Sequence, residues 1–326
     1  MTTAAPCRLA VSIINFRTPA LSWACVESLL RDFGTRPDLA VVIVDNASGD
    51  GSADLLSDHI AALPPGGAPV RLVRSPVNGG FSAGHNLGIA AAPADWHLVL
   101  NSDAAVQPGF TAQMLAAMDG AGADIGLLAP RIIDSEGRPQ QNRFRFPSVA
   151  SEVIRGAASG PVTRLLGRWD VPLYGEVPDD AIGWASFAAI ALRARMIDRI
   201  GPLDDGYFMY FEDIDYCLRA RRAGWRIAAV PGAVVTHDEG GSGDLVENQR
   251  AGRRLPAYYY ASRTRYFTKA LGWPGYVAAN LGWGLGRGLS LIRPITGRPR
   301  PPVRPGEARG VWLNALRPTG DRHAPN

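Results

Sequence analysis

Lysine is almost missing from this 326-residue chain: Lys269 is the only one, so arginine carries nearly all of the positive charge. Cysteine is scarce too. Cys7, Cys25 and Cys217 stand far apart with no CxxC pair, which argues against a disulfide framework and a cysteine-ligated zinc site and leaves each as a packing residue. No apolar run reaches the length that a membrane-spanning helix needs. Met1 to Arg8 also lacks the basic and apolar regions of a secretory signal, so a cytoplasmic location is expected. Glycine is missing from Asn15 to Ala20, where a dinucleotide-dependent dehydrogenase carries GxGxxG after its first strand; that class is excluded. Acid is rare near the end: from Arg287 to Asn326, eight arginines face only Glu307 and Asp321. A basic strip of this kind suits a phosphate-rich surface such as membrane headgroups. Nucleic acid is not an expected partner, because the arginines gather in a Pro-rich tail rather than alternating with aromatics on an ordered face.

What is present is ample apolar material, 46% of residues, arranged as short strand-like runs alternating with helical patterns over the first 130 residues. That alternation predicts an α/β fold with a mostly parallel central sheet flanked by helices. Strands are expected at Leu9 to Ile14, Ala40 to Asp45, Val70 to Val73, His97 to Leu100 and Ile125 to Ala129, with a further one at Ala188 to Leu192. Trp23, Val26, Leu29 and Leu30 recur at helical spacing, as do Phe110, Met114, Leu115 and Met118, with Pro108 in the first turn of the later helix. From Pro130 to about Asp180 the pattern weakens, and a long excursion is expected there. Arg250 to Leu271 reads as a helix. The glycines of Trp273 to Ile292 weaken one, and little order is expected from Arg293 onward.

In parallel sheets ligands bind beyond the carboxyl ends of the strands. Three apolar runs end in polar residues that should converge on one sheet edge: Asn15-Phe16-Arg17, Asp45-Asn46 and Asn101-Ser102-Asp103. The stretch Asn78-Gly79-Gly80-Phe81-Ser82-Ala83-Gly84-His85-Asn86 follows the third strand; its glycines allow close backbone approach to a ligand, and the next helix offers its amides to an anion. It also contains a literal GxSxG, the mark of a serine hydrolase elbow at Ser82, although four residues separate it from its strand. Glu212-Asp213-Ile214-Asp215 opens a helix. Acids there complement a helix dipole, with Asp215 spaced to pair with Arg219; alternatively, one carboxylate is a general base.

Together these segments resemble the family 2 glycosyltransferases, in particular bacterial rhamnosyltransferase-like members with the GT-A nucleotide-sugar-binding fold. The likeness rests on Val11 to Phe16, Val44 to Ser52, Asn78 to Phe81 with Gly84 and Asn86, Leu100 to Asp103, Tyr207 to Asp215, and Val230-Pro231 with His237, in the family's order over roughly residues 8 to 270.

The resemblance implies an inverting transfer of a sugar from a dTDP- or UDP-sugar, rhamnose among the candidates, to an acceptor hydroxyl in cell-surface polysaccharide or glycolipid assembly. It places Asn15, Arg17, Asp45, Asn78, Gly80, Phe81, Asn86, Asn101 and Ser102 on the donor, with Asp45 reading the nucleobase. Asn101-Ser102-Asp103 stands where the family keeps its DxD-like metal motif, with Asn101 in place of the first acid. Asp103 and His237 are then ligands of Mg²⁺ or Mn²⁺, Asp213 is the general base, and Glu212 and Trp184 lie on the acceptor side. Phe187 and Tyr258 to Tyr260 shape that side or simply pack the core.

The implied organisation is a GT-A domain over 1–245, divided into a nucleotide-binding half (1–130) and an acceptor-side half (131–245). A helical, membrane-associating segment (246–293) and a basic disordered tail (294–326) follow. The expected partners are the nucleotide sugar, a saccharide or lipid-linked acceptor, and the inner membrane surface, where the protein is peripheral. A non-catalytic nucleotide-sugar-binding protein is the main alternative.

Overall fold

The computed structural model describes residues 7–237, 251–291 and 304–325. The chain forms two compact units, and it passes between them repeatedly. The first comprises Met1–Asn142, Ala185–Asp205 and Arg219–Ser242; the second comprises Arg143–Trp184, Gly206–Leu218 and Gly243–Asn326. This grouping differs from the linear division at 245 that the resemblance implies: long-range packing ties the C-terminal helices to residues 143–184.

The first unit is built on an eight-stranded sheet. Its strands are β1 (Cys7–Asn15), β2 (Leu39–Asp45), β3 (Val70–Arg74), β4 (Ala94–Leu100), β5 (Ala104–Val106), β6 (Ile125–Ile133), β9 (Ala189–Arg193) and β10 (Arg226–His237), in the order β3-β2-β1-β4-β9-β6-β10-β5. The pairs β1/β2, β1/β4, β2/β3 and β6/β10 are parallel, whereas β9 runs against β4 and β6, and β5 against β10. Six strands thus share one direction, and β1, β2, β4, β6 and β10 end on the same edge.

Helices cover both faces, so the central strands read as continuous apolar runs rather than alternating ones. Leu9, Val11 and Ile13 meet Cys25, Val26 and Leu29 of α1 (Pro19–Phe33) and Phe110 and Met114 of α4 (Phe110–Asp119) in one core. Ala10, Val42 and Val44 face the other way. There α3 (Gly80–Ala91) lies so close that a Cβ on Gly84 would stand 2.7 Å from Ile14 Cδ1, and one on Gly88 would stand 2.1 Å from Ser12 Oγ. These two glycines serve helix-on-sheet packing rather than ligand approach. Pro108 falls outside α4, which starts after Gly109; Asp32 caps it by accepting from the Gly109 and Thr111 amides at 2.7 and 2.6 Å. The first unit also holds α2 (Ser52–Ala61) and α7 (Ala194–Ile200).

The second unit is helical. Its elements are β7 (Arg143–Phe144) paired with β8 (Trp184–Ala185, the last residue in the first unit), α5 (Val149–Ala157), α6 (Gly160–Leu165), the leading turns of α8 (Glu212–Arg222), α9 (Ala257–Ser290) and α10 (Glu307–Gly310). The long helix α9 kinks at Gly272, whose φ of 73° leaves the helical region. Two of the glycines expected to weaken it, Gly282 and Gly286, instead let it approach α5. A Cβ on Gly286 would sit 2.3 Å from Val153 O, and one on Gly156 would sit 2.2 Å from Trp283 O. Close contact offsets the helix-interior penalty of about 1 kcal/mol per glycine.

A buried ionic cluster bridges the same helices. Arg263, 1% exposed, donates to Glu152 Oε2 at 2.7 Å and to Asn280 Oδ1 at 2.6 Å. Burial pushes the Glu152 carboxyl up, but Arg155 and Arg263 outweigh it and hold the group below its ordinary value. The tail expected to be disordered is folded where it is described: Tyr276 and Asn280 donate to Val311 O, each at 2.9 Å, and Thr264 donates to Leu313 O at 2.8 Å. Residues 294–303 lie outside the described residues.

Candidate active site

All the residues expected on the donor and the metal belong to the first unit, whereas Trp184, Glu212 and Asp213 belong to the second.

At the carboxyl edge of the sheet, Asn15 and Asp45 end adjacent parallel strands in register. Asn15 Nδ2 donates to Asp45 Oδ1 at 2.7 Å and to Ser48 Oγ at 3.1 Å; Ser48 donates its hydroxyl to Asp45 Oδ1 at 2.6 Å and its amide to Oδ2 at 3.2 Å. Arg17, in the left-handed region with φ 59°, hangs on the same serine: its amide donates to Ser48 Oγ and its Nε to Ser48 O, both at 3.0 Å. Ser48 thus organises the loop, and the sequence reading missed it, although it lies inside the quoted motif.

Asn46 was missed in the same way. Its amide donates to Asn78 Oδ1 at 2.9 Å and to Gly80 O at 3.1 Å and accepts from the Gly79 amide at 3.2 Å, clamping the turn that opens α3. Asn78 itself accepts from the Gly80 amide at 3.0 Å, with Gly80 at φ 76°. Phe81 packs edge-on against His85, which burial pushes down to about 3, so its ring is neutral beside Ser12.

Asn86, expected on the donor, makes contacts of another kind. Its amide is committed to the backbone of Leu203, donating at 2.9 Å and accepting at 3.0 Å, as a latch on that loop. Ser82 overturns the hydrolase alternative: it lies within α3 with no exposed surface, and a nucleophile elbow must present its hydroxyl at a strand-to-helix turn.

Three side chains converge where β4 and β10 end. His237 Nε2 stands 3.3 Å from Asp103 Oδ1 and 3.2 Å from Asn101 Nδ2. Ser102 between them is buried. Asp103 Oδ1 is buried and, beside that His237 contact, has no hydrogen-bond partner among the described residues. A buried carboxylate oxygen left in this state calls for an explanation such as an ion. A carboxylate oxygen beside an imidazole nitrogen is a donor set that suits Mn²⁺ or Mg²⁺. Gln140 Nε2 holds the His237 carbonyl at 2.8 Å.

In the second unit, Tyr210 and Phe211 both have φ 69°. Two consecutive non-glycine residues in that region store about 1–3 kcal/mol each. Their rings pack on Tyr258, Tyr259 and Tyr266. The strained pair delivers Glu212 and Asp213 to the start of α8.

The three acids there differ in environment. Asp215, 2% exposed, is bound by Lys269 Nζ at 2.7 Å and by the Tyr207 hydroxyl at 3.3 Å, so the only lysine of the chain serves to pair it. Glu212 is buried with Oε2 unpartnered; burial, then the charges of Asp213 and Asp215, push its carboxyl well above the usual range. Asp213 Oδ1 accepts from the Ile214 amide at 2.8 Å. It lines a cavity of about 440 Å³ within the second unit, together with Trp184, Tyr210, Phe211 and Tyr259. Phe187, by contrast, is a core residue of the first unit.

A raised carboxyl stabilises the fold in its protonated form. That contribution is complete below the ordinary value of 4.5 and is lost as pH climbs through the raised one. Glu212→Gln, which mimics the protonated state, is expected to melt at a higher temperature than the wild type near pH 8. The margin should shrink near pH 5, as thermal unfolding at the two pH values will show.

The architecture is the GT-A fold. Over 97% of this chain and 84% of its own length, it matches a mannosyltransferase of Pyrobaculum calidifontis solved with GDP-Man and Mn²⁺, at TM-score 0.56 and 14% identity. TarS of S. aureus (residues 1–349), solved with UDP, matches over 96% of this chain and 80% of its own, at TM-score 0.52 and 14% identity. Residues 11–168 match the model for glycosyl transferase family 2, and residues 182–253 match that for glycosyltransferase-like family 2. The N-acetylglucosaminyl-diphospho-decaprenol L-rhamnosyltransferase of Mycobacterium tuberculosis is 28% identical over 275 residues, 79% of this chain and 83% of the relative. The pre-mycofactocin glycosyltransferase of the same organism is 28% identical over 61% of this chain and 37% of its own. The chain belongs to the family 2 glycosyltransferases, as a rhamnosyltransferase-like member, and is a glycosyltransferase.

Proposed function

We propose that the chain is an inverting transferase that moves a sugar, rhamnose in the favoured case, from a dTDP- or UDP-sugar to a hydroxyl of a saccharide or lipid-linked acceptor in cell-envelope polysaccharide assembly. The observation that carries this reading is the convergence of Asp103 and His237 at the carboxyl edge, with Asp103 Oδ1 buried and without a hydrogen bond among the described residues. Asp103 and His237 would hold the divalent metal, with Asn101 and Ser102 beside them, and the metal would supply charge neutralisation on the departing diphosphate. Asp45 and Asn15 shape the base pocket, Arg17 approaches the phosphates, and Asn78, Gly80 and Phe81 form the adjoining wall. Asp213 takes the proton of the attacking hydroxyl, Glu212 stays protonated beside it, and Trp184 faces the acceptor. The M. tuberculosis relative, named for a decaprenol-linked acceptor and L-rhamnose, supports the choice of sugar and acceptor.

Calorimetric titration of UDP, dTDP and GDP with and without Mn²⁺ tests this. Metal-dependent binding of one pyrimidine nucleotide is expected; silence from all three would overturn the reading.

A peripheral membrane position is part of this reading, and α9 supports it. Among the described residues no helix is long and apolar enough to cross a membrane, but Leu281, Leu285 and Leu289 recur four apart on α9 and are exposed, as are Leu271 and Trp273. With the arginines from Arg287 onward, this stripe suits an anionic surface. Replacing Leu281 and Leu285 by Glu is expected to lower partition onto anionic vesicles by about tenfold or more. Unchanged partition removes the membrane from the proposal.

A further inference from the structure

The cavity beside Asp213 lies wholly within the second unit. Its lining combines aromatic rings, Trp184, Tyr210 and Tyr259 among them, with the polar groups of Asp213, Asp170 and Arg155. A volume of about 440 Å³ lies in the range of ligand clefts, ~300–1,000 Å³. Its charged lining residues are Glu152, Asp170 and Asp213 against Arg155 and Arg263, an excess of one negative charge that disfavours a nucleotide diphosphate. A neutral sugar ring fits instead: its C–H face suits aromatic walls, and its hydroxyls suit a carboxylate and a guanidinium.

Arg155 is built for this use. Its Nε and Nη2 donate to Glu152 Oε2 at 3.0 and 2.7 Å, and its Nη1 donates to Glu307 of α10. These bonds involve three of five N–H donors, and the side chain is 35% exposed. Two carboxylates fix its plane and balance its charge, so it offers a ligand directed hydrogen bonds without strong attraction for anions. Burial opposes its charge, but Glu152 and then further partners outweigh it and hold Arg155 fully protonated. Glu307 comes from the C-terminal segment, which is thereby linked to the cavity.

We propose that this cavity seats the acceptor's sugar ring, and that Asp170 and Arg155 select among acceptors, with Glu307 as the residue that positions Arg155. The proposal rests on the glycosyltransferase reading of Asp213. The test is steady-state transfer by the full chain from dTDP-rhamnose to a synthetic N-acetylglucosaminyl diphosphate bearing a short isoprenoid chain, with nucleotide affinity measured in parallel. Asp170→Ala and Tyr210→Ala are each expected to raise the acceptor KM about tenfold or more while the nucleotide Kd stays at the wild-type value. Glu307→Gln, which keeps the shape of the side chain, is expected to raise the acceptor KM severalfold without changing the donor KM. Unchanged acceptor KM in Asp170→Ala and Tyr210→Ala, with wild-type transfer intact, would sink this inference and leave the transferase reading standing. Absence of both nucleotide binding and transfer in the wild type would sink that reading itself.

Discussion

Asp213→Asn is expected to lower kcat by about 10²–10⁴-fold, the usual contribution of a positioned general base, while leaving nucleotide affinity unchanged. The substitution is nearly isosteric, and Oδ1 can still accept the Ile214 amide, now at 2.8 Å, so the start of α8 should remain in place. The neighbouring acids are poorly suited to replace it. Glu212 keeps its proton because burial and the adjacent negative charges disfavour ionisation. Asp215 is buried and bound by Lys269 and Tyr207. Steady-state kinetics beside a nucleotide titration separate the outcomes: full kcat in the variant would move the base elsewhere, whereas lost nucleotide binding would mean that Asp213 serves the donor.

Asp103→Ala is the second change with a large expected effect. Among the described residues it removes the one carboxylate at the convergence of Asn101, Asp103 and His237. Charge stabilisation by a bound metal is worth several kcal/mol, so kcat/KM should fall by about 10³-fold or more at about 1.4 kcal/mol per decade. Nucleotide binding should lose its Mn²⁺ dependence while the metal-independent part persists. Calorimetry with and without Mn²⁺ reads both. A variant that keeps Mn²⁺-dependent binding would show that the metal is held by other residues.

Much of this framework was legible in the chain. The strands at Leu9, Ala40, His97, Ile125 and Ala188 announced themselves because segments buried on both faces are continuous apolar runs, and β1, β2, β4 and β6 extend the expected spans by only a few residues. Asn15, Asp45 and Asn101 to Asp103 could be placed on one edge because parallel connection leaves the carboxyl ends of strands together. Helix α5 was not legible: nine residues are too few for a firm periodic signal. The glycines of α9 pointed the wrong way, since propensity records their entropic penalty and not the neighbour they admit.

Sequence by itself determined the α/β class, the polar strand ends and the family, because these depend on local pattern and ordered motifs. Only the tertiary structure decided which partner each polar side chain takes. It assigned Asn86 to Leu203, Lys269 to Asp215 and Arg155 to Glu307, and it joined residues 143–184 to the C-terminal helices. Partners separated by tens to more than a hundred residues leave no periodic trace; they are chosen by packing, burial and charge once the chain has folded.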